Sequence, residues 1–299
     1  MKTFIEVEGQ DISRPSERPP KTNWKIEMIK KGLGLLQYAS PRKSAEIIWH
    51  YSTMPGKPKF TQNQLDILSE AEIGQTSYEG DIIKTYRWGS GGPKVLLCHG
   101  WRSKTADFHR MIKAFRNKGY VVEGIDLRAH GRSEGKQTAL PEYRDILKSF
   151  ISKNGPYHSV VGYSMGALAS GITLSELGSN FQPKHYFVIS GPPYVRYFFH
   201  DVITEVGCNE AVYDAMCHLV KERYNEPIDY FDLRIKNQDL KQMDTHLLYC
   251  EDDQVIPFRK GLELEECWPK ASFVHTKGLG HYKIISNEAI IKYIVNKCD

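Results

Sequence analysis

The segment His158-Ser159-Val160-Val161-Gly162-Tyr163-Ser164-Met165-Gly166 joins a short apolar run directly to a G-x-S-x-G pattern. A short apolar run of this kind is typical of a strand that is buried on both faces. The small residues Ala167, Ala169 and Gly171 follow, and they favour a helix packed closely against that strand. In such a strand–turn–helix unit the serine lies on a sharp bend with its hydroxyl above the sheet. The segment therefore predicts Ser164 as a nucleophile, with an inert turn as the alternative.

Short apolar segments alternate with helical patterns on both sides of this segment, and parallel strands require crossovers of such a length. The sequence predicts an α/β fold with a doubly wound, mostly parallel sheet and an edge hairpin turning at Glu79-Gly80-Asp81. Beyond the hairpin at 78–88, the predicted strands are residues 94–98, 120–125, 158–162, 185–190, 245–250 and 272–276. The predicted helices after the hairpin are residues 105–118, 141–153, 165–177 and 287–296.

The alternation of strands and helices stops within residues 194–242, which are rich in aromatic side chains. We predict that this segment is a helical lid inserted into a sheet domain of residues 75–299, and that residues 1–74 form an N-terminal helical arm. Four aromatic side chains are candidates for a substrate pocket, although a helical lid also needs an apolar core of its own. These candidates are Tyr163, Tyr194, Phe198 and Phe199.

Composition excludes several classes of protein. Of the 299 residues, 40% are hydrophobic and 25% are charged, which is the balance of a globular protein. The net charge of +4 is too small to indicate nucleic-acid binding, and the excess lies in the N-terminal arm. No apolar run approaches the roughly 20 residues of a membrane span, and the N-terminus lacks the apolar core of a signal peptide. We therefore expect no membrane span and a cytoplasmic protein.

A serine nucleophile needs a base, and the base needs a third group that orients it. Among the 11 histidines, His281 is favoured because it ends the glycine-flanked sequence Gly278-Leu279-Gly280-His281 after the last predicted strand. The acid is expected directly after the strand at 245–250, where Glu251, Asp252 and Asp253 are consecutive. The residues alone leave these three acids open.

The order of these motifs resembles that of the α/β-hydrolase superfamily, whose triad runs Ser, Asp or Glu, His along the chain. The resemblance extends over residues 75–299 and implies a mostly parallel eight-stranded sheet flanked by helices. It also implies a catalytic triad of Ser164, Asp253 and His281. Asp253 is preferred to Asp252 because Asp253-Gln254-Val255-Ile256-Pro257 is similar to the turn that carries the acid in that family.

Two further segments match motifs of the superfamily. His99-Gly100-Trp101 resembles its H-G-x loop, which implies that the backbone N–H groups of Trp101 and Met165 form an oxyanion hole. In this resemblance His99 has an orienting role and is not the base. The turn Asp126–Ser133 resembles a D-x-R-G-H-G-x-S scaffold turn in which Ala129 replaces the first glycine.

The predicted function is a serine hydrolase that cleaves a small-molecule carboxylic ester or thioester through an acyl-serine intermediate. An acyltransferase or a peptidase with the same triad is the alternative, as is a non-catalytic small-molecule-binding protein of this fold. Serine at the bend disfavours a dehalogenase or an epoxide hydrolase. No metal and no cofactor are expected, because the sequence has neither a recognised metal-ligand spacing nor a glycine-rich nucleotide motif.

Overall fold

The computed structural model describes residues 2–5, 24–56, 58–240 and 242–299. The strands in these ranges are β1 (Lys2–Ile5), β2 (Glu72–Tyr78), β3 (Asp81–Trp88), β4 (Lys94–Cys98), β5 (Val121–Ile125), β6 (Ser159–Tyr163), β7 (His185–Ile189), β8 (Asp244–Cys250) and β9 (Ser272–Thr276). The helices are α1 (Trp24–Ala39), α2 (Pro41–Ser52), α3 (Gln62–Ser69), α4 (His109–Asn117), α5 (Leu140–Asn154), α6 (Met165–Leu177), α7 (Arg196–Glu205), α8 (Glu210–Tyr224), α9 (Asn237–Leu240), α10 (Phe258–Cys267), α11 (Gly280–Lys283) and α12 (Glu288–Cys298).

The strands form one sheet in the order β1-β9-β8-β7-β6-β4-β5-β3-β2. Strand β3 pairs antiparallel with β2 and β5, and the remaining neighbours are parallel. The sheet of the described residues thus has nine strands, and the predicted number of eight is wrong. The additional strand is β1, a run of four residues that is too short to carry a periodic pattern. Its place is set by hydrogen bonding to β9, where Lys2 is opposite Phe273.

The central strands are apolar along their whole length because helices cover both faces of the sheet. Strands β5, β6 and β7 are buried at every position, which agrees with the continuous apolar runs in the sequence. The carboxyl ends of β4, β6 and β8 lie at the same edge because these strands are parallel. The segments that begin at His99, Ser164 and Glu251 follow these three ends, so this edge is where the predicted site residues can meet.

The chain divides into two compact units. The first consists of Met1–Glu8, Pro55–Pro193 and Asp232–Asp299, and its described part contains the entire sheet. The second consists of Gly9–Met54 and Tyr194–Phe231, and its described part contains α1, α2, α7 and α8. This division differs from the predicted boundaries, because α3, β1 and the start of β2 lie within the predicted arm but belong to the sheet unit. The inserted helical unit ends at Phe231, before the predicted end at residue 242.

The second unit has its own aromatic contacts and a surface ion pair. The ring of Trp49 on α2 lies 6.2 Å from the rings of both Phe199 and Tyr224. Arg42 on α2 donates two hydrogen bonds to the carboxylate of Glu222 on α8, at 2.9 and 2.7 Å. Helices α1 and α2, which are distant in sequence from the inserted segment, therefore form one unit with it.

Candidate active site

Ser164 lies at the bend between β6 and α6 with a backbone φ of 53° and ψ of −127°. Positive φ is uncommon for a residue with a side chain and is retained only where the surroundings impose it. Here the Ser164 N–H donates to the carbonyl of Ile189 on β7 at 2.9 Å, and the Ser164 carbonyl accepts from Ala167 N–H at 2.9 Å. The bend is therefore fixed by a neighbouring strand and by the first turn of the helix.

Glycines allow three segments to meet at this bend. A Cβ atom on Gly162 would lie 2.4 Å from the Cα of Ala167, and one on Gly166 would lie 2.4 Å from the carbonyl oxygens of both Cys98 and His99. A Cβ on Gly100 would lie 2.7 Å from the Cβ of Ser164. Contacts this short with backbone atoms cannot be relieved by a rotamer change. The G-x-S-x-G glycines are thus required for α6 to approach β6 and the loop after β4.

The close approach at Gly166 gives a testable stability difference. Gly166→Ala is expected to lower the free energy of unfolding by about 1–3 kcal/mol, the usual cost of overpacking. Gly34→Ala on α1 is the matched control, because no atom lies within 4 Å of a Cβ placed there. It is expected to raise the free energy of unfolding by about 0.5–1 kcal/mol through helix propensity. Urea unfolding measures both values, and equal effects at the two positions would contradict the proposed packing of α6.

His281 is hydrogen-bonded to both of its predicted partners. Its Nε2 lies 3.1 Å from Ser164 Oγ, and its Nδ1 lies 2.8 Å from Oδ2 of Asp253. Because an ionised carboxylate only accepts hydrogen bonds, Nδ1 carries the ring proton and Nε2 is free to accept the proton of the Ser164 hydroxyl. His281 and Asp253 are both buried. His281 lies on the short helix α11, which begins at Gly280.

The carboxylate of Asp253 is held by the backbone of its own turn. Its Oδ1 accepts hydrogen bonds from the N–H groups of Val255 and Ile256 at 2.8 and 2.7 Å. With one oxygen used in this way, the other oxygen faces His281. This geometry explains why a turn that ends in Val-Ile-Pro suits an acid that must orient a histidine.

The two acids that precede Asp253 have other partners. Asp252 accepts a hydrogen bond from the backbone N–H of Gly278, which lies in the segment leading to His281. Glu251 is paired with His275 at 2.9 Å and with Lys277 at 3.3 Å. Of the three candidates that the sequence left open, only Asp253 contacts His281 among the described residues.

Tyr163, predicted as a pocket residue, lies instead under His281. Its hydroxyl donates to the backbone carbonyl of His281 at 3.0 Å, and the two rings are 5.1 Å apart. Burial raises the pKa of the phenol, so the hydroxyl keeps its proton and remains a donor. Alternation along β6 puts Tyr163 on the same face as Val161, and both side chains belong to one buried apolar cluster. No local sequence pattern indicates this contact, which joins residues 118 positions apart.

The loop after β4 lies beside the serine. Gly100 approaches Ser164, and Trp101 follows it directly. The Trp101 N–H makes no hydrogen bond to any protein atom in the described part of the chain. Met165 is the first residue of α6, and a first-turn N–H has no acceptor within its own helix. Met165 follows Ser164 directly in the chain, and Gly100, which precedes Trp101, lies against Ser164, so two N–H donors without such partners belong to the segments that meet at the serine, one of them at the positive end of a helix.

His99 fixes the loop on one side of Trp101. Its Nε2 accepts a hydrogen bond from the N–H of Leu127 at 3.0 Å, so its Nδ1 carries the proton and donates to the carbonyl of Gly100 at 2.8 Å. Complete burial lowers the pKa of His99 to about 4, which keeps the ring neutral near pH 7. These contacts agree with the orienting role that the H-G-x resemblance implies.

His130 fixes the other side of the loop. Its Nε2 accepts from the N–H of Arg102 at 3.0 Å, and the ring of Trp101 lies 5.1 Å from its own. Burial lowers the pKa of His130 to about 3. The turn that carries His130 is anchored by Asp126, which accepts from the N–H groups of Thr105 and Arg132 at 2.8 and 2.9 Å. The Asp126–Ser133 turn is therefore a scaffold for the loop.

The three predicted pocket residues of the inserted segment lie in the second unit. The ring of Phe199 contacts Trp49 of α2. The rings of Tyr194 and Phe198 lie 6.2 and 4.2 Å from that of Tyr197. The structure places these side chains in aromatic contacts within their own unit, which was the alternative considered for them.

The family model described as the alpha/beta hydrolase family matches residues 95–291, or 197 of the 299 residues. The chain therefore belongs to the alpha/beta hydrolase family. Within the described ranges, no helix is both long enough and apolar enough to cross a bilayer.

Individual relatives match only part of the chain. A monoacylglycerol lipase of Mycolicibacterium smegmatis is 31% identical over 108 residues, which cover 33% of this chain and 37% of the lipase. A subtilisin-like protease of Arabidopsis thaliana is 27% identical over 101 residues, which cover 33% of this chain and 14% of the protease. The chain thus spans well under half of either relative. Among solved structures, an esterase of Pyrococcus furiosus has a TM-score of 0.59 at 19% identity, covering 81% of this chain and 97% of the esterase.

Proposed function

We propose that this protein is a serine hydrolase that cleaves a carboxylic ester or thioester through an acyl-enzyme intermediate on Ser164. The observation that carries the proposal is the continuous hydrogen-bonded series from Ser164 Oγ through His281 to Asp253, with distances of 3.1 and 2.8 Å. A nucleophile within hydrogen-bonding distance of a base, itself oriented by a third group, is the arrangement that acyl transfer requires. The names of two relatives, a monoacylglycerol lipase and an esterase, also favour an ester substrate.

In the first half of the reaction, Ser164 Oγ attacks the carbonyl carbon of the substrate and its proton passes to Nε2 of His281. The bond to the leaving group then breaks, and His281 returns that proton to the departing alcohol or thiol. An acyl group remains on Ser164. Throughout this half-reaction Asp253 accepts a hydrogen bond from the Nδ1–H of His281, which holds the tautomer and stabilises the imidazolium.

In the second half, a water molecule takes the place of the leaving group. His281 removes one proton from this water as its oxygen attacks the acyl carbon, and the same proton returns to Ser164 Oγ when the acid is released. Both tetrahedral intermediates carry negative charge on the former carbonyl oxygen. We assign its stabilisation to the backbone N–H groups of Trp101 and Met165, because neither has a competing acceptor in the described structure.

A panel of substrates with one acyl group tests the proposal against its alternatives. We expect the purified protein to hydrolyse a p-nitrophenyl ester and the matching thioester, with the rate depending on acyl chain length. The matching p-nitroanilide is expected to be cleaved far more slowly. Preferential cleavage of the anilide would favour a peptidase, and product formed mainly with an added alcohol would favour an acyltransferase. Binding of an ester without turnover would indicate a non-catalytic receptor.

A further inference from the structure

A second group of chemically active side chains lies at the opposite edge of the sheet. Strand β7 begins with His185 and strand β8 begins with Asp244, and these two residues are opposite each other in the parallel register. His246 is two residues further along β8, so its side chain is on the same face as that of Asp244. Ser164 and Asp253 follow the carboxyl ends of β6 and β8, whereas this group lies at the amino ends.

One ring nitrogen of each histidine in this group faces the same carboxylate oxygen of Asp244. Oδ2 of Asp244 lies 3.1 Å from Nδ1 of His185 and 3.2 Å from Nε2 of His246. One ligand atom from each of the three residues lies within 4.8 Å of the other two. A tetrahedral Zn²⁺ ion with bonds of about 2.0–2.1 Å needs ligand atoms about 3.3 Å apart, so small side-chain movements would suffice to bind one.

The two histidines of this group are buried, whereas its aspartate is open to solvent. His185 and His246 are only 5% and 1% exposed. The side chain of Asp244 is 50% exposed, so an ion can reach the group from its side. Burial lowers the pKa of both histidine rings.

The ring nitrogens that face away from the carboxylate have different surroundings in the two histidines. Nδ1 of His246 lies 2.9 Å from the hydroxyl of Tyr293, and a metal-bound histidine commonly uses its second nitrogen in such a contact. Nε2 of His185 has no hydrogen-bond partner in the described structure, so without an ion Nδ1 carries the proton and donates to Asp244, and binding of an ion through Nδ1 requires that proton to move to Nε2. The positive charges of Lys184 and Lys297 disfavour the binding of a cation at this site. The same charges contribute to lowering the pKa of His185 and of His246, respectively.

We propose that His185, Asp244 and His246 bind a divalent transition-metal ion, with Zn²⁺ as the best match to two imidazoles and one carboxylate. Water completes the coordination on the exposed side of Asp244. The ion joins the first residues of β7 and β8 and has no part in ester cleavage. The sequence does not indicate this site, because His185 lies 59 residues before Asp244 and the sheet register alone brings the two together.

Calorimetric titration of the whole protein with Zn²⁺ tests the proposal. We expect one ion per chain, with at least about 10-fold weaker binding in Asp244→Asn and in His246→Gln. His275→Gln is the matched control, because His275 is also paired with a carboxylate, that of Glu251 at 2.9 Å, but has no second histidine beside it. Its affinity for Zn²⁺ is expected to equal that of the wild type. His281→Gln separately excludes binding at the candidate active site and is expected to leave the affinity unchanged.

Two measurements on the wild type do not depend on how the variants fold. Co²⁺ in place of Zn²⁺ is expected to give visible absorption bands of a four- or five-coordinate ion at one equivalent. Zn²⁺ is also expected to raise the unfolding temperature, because it binds the native state. Absence of binding, an octahedral Co²⁺ spectrum, or equal affinities in the wild type, Asp244→Asn and His246→Gln would overturn the proposal. Loss of binding in His281→Gln alone would place the ion at the other edge of the sheet.

Discussion

Replacing Ser164 with alanine is expected to lower kcat for p-nitrophenyl ester hydrolysis by at least about 10⁴-fold. The change removes the only atom that forms a covalent bond to the substrate, while the imidazole of His281 and the candidate oxyanion donors stay in place. Steady-state kinetics with purified wild type and variant give the ratio directly. The alanine side chain keeps the Cβ that occupies the bend, so we expect the urea unfolding midpoint to stay close to that of the wild type.

Ser175→Ala is the matched control for this prediction. Ser175 lies on α6, the helix that follows the bend, and its hydroxyl donates only to the carbonyl of Ile172 at 2.7 Å. We expect its kcat to stay within a factor of about two of the wild type. Equal hydrolysis by wild type and Ser164→Ala would contradict the assignment of the nucleophile, and an equal loss in both variants would indicate damage to the helix.

Asp253→Asn is expected to lower kcat by about 10³–10⁴-fold. Since the N–H groups of Val255 and Ile256 already donate to Oδ1, the amide oxygen of asparagine takes that position. Its NH₂ group then faces His281 and donates to Nδ1. The proton of the ring is forced onto Nε2, which can no longer accept the proton of Ser164. The pH–rate profile of the variant and its kcat are both measured with the best ester of the panel.

Asp252→Asn distinguishes this effect from a general change in the acidic turn. The Asp252 side chain accepts from the N–H of Gly278, and an amide oxygen can accept the same hydrogen bond. We therefore expect kcat to fall by less than about 10-fold. A larger loss in Asp252→Asn than in Asp253→Asn would reverse the assignment of the acid.

The sequence predicted the elements whose local pattern is strong. Helix α6 has the predicted ends at residues 165 and 177, because the bend at Ser164 and the glycine at 178 delimit it. Strand β9 likewise has the predicted bounds. By contrast, β1 depends on hydrogen bonding to a strand about 270 residues away, for which four residues carry no local signal.

The position of a candidate site residue was predictable where that residue directly follows a parallel strand. Ser164 and the acidic turn each follow a parallel strand, so their meeting at one edge follows from topology. The choice of Asp253 over Asp252 depends on side-chain direction within a turn, which the residues alone left open. The role of Tyr163 depends on a long-range contact to the backbone of His281. The similarity of residues 253–257 to the acid turn of the family indicated Asp253, whereas no local pattern indicated the contact of Tyr163.

The domain boundaries were less predictable for a related reason. Aromatic residues mark the inserted segment, but they do not reveal that α1 and α2 belong to the same unit. The contact of Trp49 with Phe199 joins positions 150 residues apart, and only folding brings them together. The same applies to the histidine and aspartate group at the other edge of the sheet.

Labelling with a fluorophosphonate tests the central proposal most directly, because an activated serine displaces fluoride and forms a bond to phosphorus. The labelled protein is digested, and mass spectrometry locates the adduct. We predict one adduct per chain on Ser164 in the folded wild type and no adduct in Ser164→Ala. We also predict much slower labelling of Asp253→Asn. A folded wild type that carries no adduct, or carries it on a serine other than Ser164, would contradict the proposed chemistry.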